Sequence, residues 1–260
     1  MPDSPRIDLN ADLGEGFGAW SGAGADEALL AVITSANVAC GFHAGDPVIM
    51  RRVCAEAVRR GVAIGAQVSY RDLVGFGRRR MDIAPDDLSA DVLYQLGALD
   101  GFARAAGDRV RYLKPHGALY HAAATDAGQA GAVVSALLAW DRPLPVLTLP
   151  GSALATAAAE AGLAVVIEAF CDRGYSADGS LVPRDQPGAL LREPGEIADR
   201  ALAMVTSGEL LAVDGSRLAV RPASLCVHGD TPGAAGIARA VRDRLTGAGV
   251  RLAPFAALAP

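Results

Sequence analysis

Residues Ile33 to Ala66 read ITSANVACGFHAGDPVIMRRVCAEAVRRGVAIGA, and this stretch decides the fold. It opens on one apolar run, Ile33 to Ala39, and closes on another, Val62 to Ala66. Between them, from Pro47 to Arg60, Ile49, Val53 and Ala57 fall on one helical face with Met50, Cys54 and Val58. The ends of that helix carry their own signals. Asp46 is suited to cap the orphan amides, Pro47 sits where a missing N–H costs nothing, and Gly61 can take the left-handed stop. Strand, helix and strand on short connections make a βαβ unit, whose parallel strands are buried on both faces.

Outward from this unit the pattern repeats. Apolar runs at Ile7 to Leu9, Val110 to Leu113, Val146 to Leu149, Ala164 to Ile167 and Ser224 to Val227 read as further buried strands. Helical stretches run from Pro85 to about Ala106, Asp126 to Trp140, Ser152 to Ala161, Glu196 to Ser207 and Pro232 to Leu245. This predicts one α/β domain over residues 1–260, with no polar linker to divide it. Periodicity alone does not choose between a closed barrel and an open doubly wound sheet. In both, the carboxyl ends of the strands lie on one side, so turns distant in sequence converge there.

Composition narrows the function. The 260 residues are 51% hydrophobic but only 5% aromatic, so the core is built from Ala, Val, Leu and Ile. A net charge of -5 argues against nucleic-acid binding, which needs a basic face. The dense basic run Arg78, Arg79, Arg80 reads as a solvated loop, with capture of an anion the sharper alternative. No apolar stretch approaches the roughly 18 residues of a membrane span, and Met1 to Arg6 has no apolar signal segment. Cys40, Cys54, Cys171 and Cys226 form no C-x-x-C pair, which fits a reducing cytoplasm.

The polar residues gather after strands. Asn10, Asp12 and Glu15 follow the first in a glycine-rich segment that is not a P-loop. Asn37 and His43 belong to the second, Gln67 follows the third, and Lys114 and His116 end the fourth. Glu168, Asp172, Arg173 and Arg184 follow the sixth, and His228 the last. Taken singly, each has a structural explanation: Asp46 and Asp230 as caps, Asp172 and Arg173 as loop-ordering groups, His121 as a surface side chain. Converging, Asp12, Glu15, His43, Lys114, His116 and His228 make a catalytic set, with Asn10, Asn37, Gln67, Arg173 and Arg184 as substrate contacts. A metal centre of Asp12, His43 and His228 is the alternative, but familiar close-spaced zinc motifs are absent, and metal-free catalysis is the expectation.

The segments IDLNADLGEGFG, ITSANVACGFHAGDP, GVAIGAQVSY with GFGRR, YLKPHGALY, EAFCDRGY with DGSLVPR, and CVHGDTP together resemble the LamB/YcsF family, the A subunits of bacterial ATP-dependent 5-oxoprolinase. The resemblance implies a distorted, seven-stranded β/α barrel similar to the glycoside hydrolase/deacetylase fold. It further implies cleavage of 5-oxo-L-proline to L-glutamate, ATP as co-substrate handled mainly by partners, and those partners as subunits B and C. One departure stands out: the family commonly has His-Pro-Ser where this chain has Gln67, Val68 and Ser69. An amide neither titrates nor binds transition metals well, so a metal is expected to be disfavoured there. The competing readings are a stand-alone metal-dependent hydrolase or deacetylase, and a non-catalytic scaffold.

Overall fold

Ile7, Leu9, Ala11 and Leu13 alternate with Asp8, Asn10 and Asp12, and a period of two gives a strand one apolar and one polar face. That strand is β1 (Arg6–Leu13) in the computed structural model, which describes residues 5–20, 23–229 and 233–256. It is followed by α1 (Ala23–Leu30), β2 (Ser35–Ala39), α2 (Pro47–Arg60), β3 (Ala63–Val68), α3 (Pro85–Ala105), β4 (Tyr112–Pro115), α4 (Gly117–Thr125) and α5 (Ala127–Ala139). Then come β5 (Val146–Thr148), α6 (Ala153–Glu160), β6 (Val165–Phe170), α7 (Pro194–Thr206), β7 (Glu209–Leu211), β8 (Arg217–Ala219), β9 (Ser224–Val227), α8 (Ala234–Gly247) and β10 (Arg251–Leu252).

The sheet closes. Strands β1 to β6 pair in sequence order, all parallel from β1–β2 onward, and β9 pairs with both β6 and β1 through Ser224, which stands opposite Glu168 and Asp8. The alternative of an open doubly wound sheet is thereby excluded, and the seven strands form a barrel. Strand β10 extends the edge by pairing with Arg6 and Ile7, and β7 and β8 make a separate antiparallel hairpin.

The main apolar core lies between barrel and helices. Leu9, Ala11, Leu13, Val38, Ile64, Ala66, Val68, Leu113 and Val227 face outward onto Val53, Leu96, Leu99, Val133, Ile197 and Val241. The barrel interior is polar instead, filled by Asp8, Asn10, Asn37, Gln67, Lys114 and Glu168, all buried. At its lower end Tyr112 packs with Ala63, Leu147 and Ala256, its ring edge-on to Phe255 at 4.8 Å.

Local signals were sound where chemistry fixes an end. Asp46 accepts from the amides of Val48 and Ile49, and Gly61 closes α2 in the left-handed region. Asp126 and Ser152 cap α5 and α6 likewise. Other expectations needed correction. Strand β1 does not end at Leu9 but carries Asn10 and Asp12, and Gln67 lies on β3 rather than after it. Elements α1, α4, β10 and the β7–β8 hairpin were not foreseen. Asp230 as a cap and Pro232 as a helix start lie outside the described residues. Among the described residues, no helix is long and apolar enough to cross a membrane.

Candidate active site

The site rises from a hydrogen-bonded ladder inside the barrel. At its foot the Asp8 carboxylate accepts from Thr34 and Ser35, each at 2.6 Å, and from Ser224. Asn10 donates to Ser224 Oγ at 2.7 Å, and Asn37 Nδ2 donates to Asn10 Oδ1 at 2.7 Å and Asp12 Oδ1 at 2.8 Å. Tyr112 donates to Asn37 Oδ1 at 2.7 Å. Each rung fixes the next, so the carboxylate of Asp12 is held by groups that begin at the barrel's closed end.

Above the ladder opens a cavity of about 400 Å³ at the carboxyl ends of the strands. Asp12, Lys114, His116, Phe170 and His228 form its inner wall, and Arg78, Arg173, Pro183 and Arg184 stand among its other lining groups. Lys114 Nζ lies 2.8 Å from Glu168 Oε2, 3.7 Å from Asp12 Oδ1 and 3.2 Å from Cys226 Sγ. Burial works against the ammonium, but the carboxylates of Glu168 and Asp12 outweigh it and hold the Lys114 pKa well above its ordinary value. Burial likewise pushes the Cys226 thiol up, so it stays neutral. Lys114 is therefore a permanent cation, already partly balanced, beneath the cavity.

His228 is oriented by Asp172. Its Nδ1 lies 2.9 Å from Asp172 Oδ1 and its amide donates to Asp172 Oδ2 at 3.1 Å, while Phe170 stacks on the ring at 5.2 Å. Burial opposes the Asp172 carboxylate, but His228 outweighs it through charge and hydrogen bonds and keeps the pKa below the usual range. With Nδ1 committed, Nε2 is the nitrogen left for a ligand. Gly229 is required beside it, since a Cβ there would stand 2.1 Å from the Asp12 carbonyl oxygen.

A second cluster lies behind His116. The His43 and His116 rings stack at 4.2 Å, Gln67 Oε1 is 3.2 Å from His43 Nε2, and Gln67 Nε2 donates to Glu15 at 3.1 Å. Burial lowers the His43 pKa to about 4 and that of His116 well below its ordinary value, so both rings are neutral near pH 7. Phe76 covers both edge-on, at φ 56, a conformation costly for a bulky residue. Gly77 follows it at φ 68, where a Cβ would sit 2.4 Å from Ser69 Oγ.

The structure thus divides the expected catalytic residues. Asp12, Lys114, His116 and His228 reach the cavity; Glu15 and His43 stand behind His116. The expected metal set of Asp12, His43 and His228 is not assembled among the described residues: Asp12 and His228 line the cavity, whereas His43 stands behind His116. Asn10, Asn37 and Gln67, expected to touch substrate, are fully buried below the cavity and position its wall. Arg173 and Arg184 both line the cavity, and the Arg173 guanidinium also donates to the carbonyls of Ala189 at 3.1 Å and Val182 at 2.6 Å, which orders the loop. Of the basic run, Arg78 lines the cavity over Phe76, while Arg79 pairs with Asp72 and Arg80 with Asp126. Tyr120, which lines the cavity beside Lys114, and the acids Glu168 and Asp172 have a place at the site that was not assigned from sequence; the two acids were legible as carboxylates after an apolar strand.

A parallel seven-stranded barrel with acid, base and cation at its carboxyl mouth is the architecture of a β/α-barrel enzyme. The chain belongs to the LamB/YcsF family, which it matches over residues 7–260. It is 60% identical over 250 residues to the 5-oxoprolinase A subunit of Streptomyces avermitilis, covering 96% of this chain and 100% of that one. With the Mycobacterium avium protein of the same name it shares 59% over 249 residues, covering 96% and 98%. The lactam utilization protein from Thermus thermophilus superposes with a TM-score of 0.91 at 46% identity, covering 96% of this chain and 100% of that one. A T48 deacetylase, at TM-score 0.52 and 11% identity over 99% of this chain and 94% of its own, shares the fold alone.

Proposed function

We propose that this chain is the lactam-opening component of an ATP-dependent 5-oxoprolinase and works with subunits B and C to convert 5-oxo-L-proline to L-glutamate. The names of its relatives support the substrate. The observation that carries the chemistry is the cavity, where the Asp12 carboxylate, the Lys114 ammonium and the Asp172-oriented His228 share one wall below Arg78 and Arg184.

An unstrained lactam carbonyl is deactivated by amide resonance, and phosphoryl transfer from ATP to the amide oxygen removes that protection. Water then adds to the ring carbon, giving a proton to Asp12, and the C–N bond breaks as His228 protonates the ring nitrogen. The γ-acyl phosphate so formed is hydrolysed to glutamate and phosphate. Lys114 stabilises the negative charge that develops on the oxygens, at no cost of reorganisation because Glu168 and Asn10 already hold it. Arg184 and Arg78 attract the anionic substrate. The chain has no P-loop signature, in keeping with nucleotide handled by the partners.

Purified chain combined with its partner subunits is expected to form glutamate from 5-oxoproline only when ATP is present. Absence of glutamate with well-folded partners would overturn the assignment. Lys114→Ala should lower turnover at least about 100-fold in the same assay.

A further inference from the structure

Exposed apolar side chains gather on one side of the cavity mouth. Trp20 is 67% exposed, Val48 64%, Val74 86% and Tyr94 64%. Scattered singly such residues mean little, but contacts join these into one surface. Two hydrogen bonds hold the turn ending at Trp20 to the start of α2, where Val48 lies: the Gly18 amide donates to Asp46 Oδ2 at 2.8 Å, and the Gly45 amide to the Gly16 carbonyl at 2.7 Å. Phe42, from the same β2–α2 loop, stacks on Tyr94 of α3 at 5.3 Å, and the Arg71 guanidinium lies 4.9 Å from the centre of the Phe42 ring. Arg71 opens the loop that carries Val74, then Phe76 against His116, then Arg78 in the cavity lining. The surface therefore follows the carboxyl ends of β1, β2 and β3 and runs into the cavity wall.

Its charge has a direction. Arg71 pairs with Asp91 and Arg79 with Asp72 through Nε and Nη2, and in both pairs the carboxylate is buried and the guanidinium turned to solvent. Arg80 stands outward in the same loop, against Asp126. Acids lie underneath and cations on top, on a chain whose net charge is -5. Trp, Tyr and Arg are the side chains that most often anchor protein interfaces, the aromatics by packing and the guanidinium by pairing with carboxylates. None of Trp20, Phe42, Val48, Arg71, Val74 and Tyr94 lines the cavity, so a small molecule held there would leave them uncovered.

We propose that this aromatic and basic rim docks the ATP-handling partner of the enzyme, through a surface of that partner that presents carboxylates around an apolar side chain. The inference rests on the reaction proposed above: a phosphorylated lactam is open to attack by water, and a partner seated beside Arg78 hands it to the cavity without release. Full-length chain is titrated against subunits B and C by biolayer interferometry, at low salt and at about 0.5 M salt, where attraction between exposed charges is screened. Binding that weakens with salt is expected. Val74→Asp and Val48→Asp, which set a negative charge against the partner's carboxylates, should each weaken it at least about tenfold. Val74→Lys, equally polar but of the opposite sign, should weaken it less, and Leu138→Asp, at an exposed position near the far end of α5, should leave it unchanged. Absence of a complex would overturn the proposal, as would Val74→Asp and Val48→Asp that bind like wild type, or Val74→Lys that binds more weakly than Val74→Asp. A dimer of the chain alone that Val74→Asp abolishes would give the rim to a second copy and overturn it too. Glutamate is assayed on the same samples. Docking that is lost in the rim variants, with no glutamate from wild type, would keep the surface and strike the reaction; wild-type glutamate with rim variants that dock normally would strike the surface alone.

Discussion

Asp8 sits at the closed end of the barrel with hydroxyls of Thr34, Ser35 and Ser224 around it, yet burial wins over these bonds and pushes its pKa up to about 6. A carboxyl raised in the folded state favours the protonated form, so its stabilising contribution is complete below the ordinary value of 3.8 and is lost as pH rises through about 6. Asp8→Asn removes that dependence. Relative to wild type, the variant should gain roughly 2 kcal/mol between pH 4 and pH 7, read from urea midpoints across that range. A constant difference would show that Asp8 does not titrate there. Asp172→Asn should keep the fold but disturb the His228 tautomer, lowering turnover about 100-fold. The alternation of Ile7 to Leu13 carries Asp8, Asn10 and Asp12 on one inward face, but the strand reads from sequence only as Ile7 to Leu9. Their polarity instead suggested a turn, because barrel interiors are commonly aliphatic. Which histidine would pair with which acid was not legible, since partners such as Asp172 and His228 come together only when the barrel closes.

At the scale of elements, β3 and β4 meet through an absence. Gly65 stands beside Tyr112, and a Cβ on it would lie 2.1 Å from the ring carbon Cζ. The missing side chain lets the ring cross the interior and its hydroxyl reach Asn37. Gly65→Ala should therefore destabilise by about 3 kcal/mol by calorimetry or denaturant unfolding. Adding Tyr112→Leu should recover part of the loss, and a neutral Gly65→Ala would contradict the packing. Helices with a cap and a clear stripe, α2 above all, could be read within a residue or two. Helix α4 could not: Gly117 to Thr125 is short, apolar almost all round, and has no side-chain cap. The β7–β8 hairpin escaped notice because its strands are only 3 residues each.

At the scale of the whole molecule, closure makes the site. Asp12 from β1, Lys114 from β4, Glu168 from β6 and His228 after β9 are distant in sequence and adjacent only because β9 bridges β6 to β1. The apolar layer between barrel and helices supplies rigidity, and the polar interior spends some of it on holding Asp12 and Lys114 in place. The βαβ pattern foretold the layers, but closure depends on strand tilt and register, which periodicity does not encode. On the proposed assignment, lactam opening takes place at this mouth. Its most direct test is ATP-dependent glutamate release from 5-oxoproline by the assembled enzyme carrying Asp12→Asn, a near-isosteric change that removes the base. Turnover should fall at least about 100-fold with assembly intact. Glutamate release at the wild-type rate would contradict it.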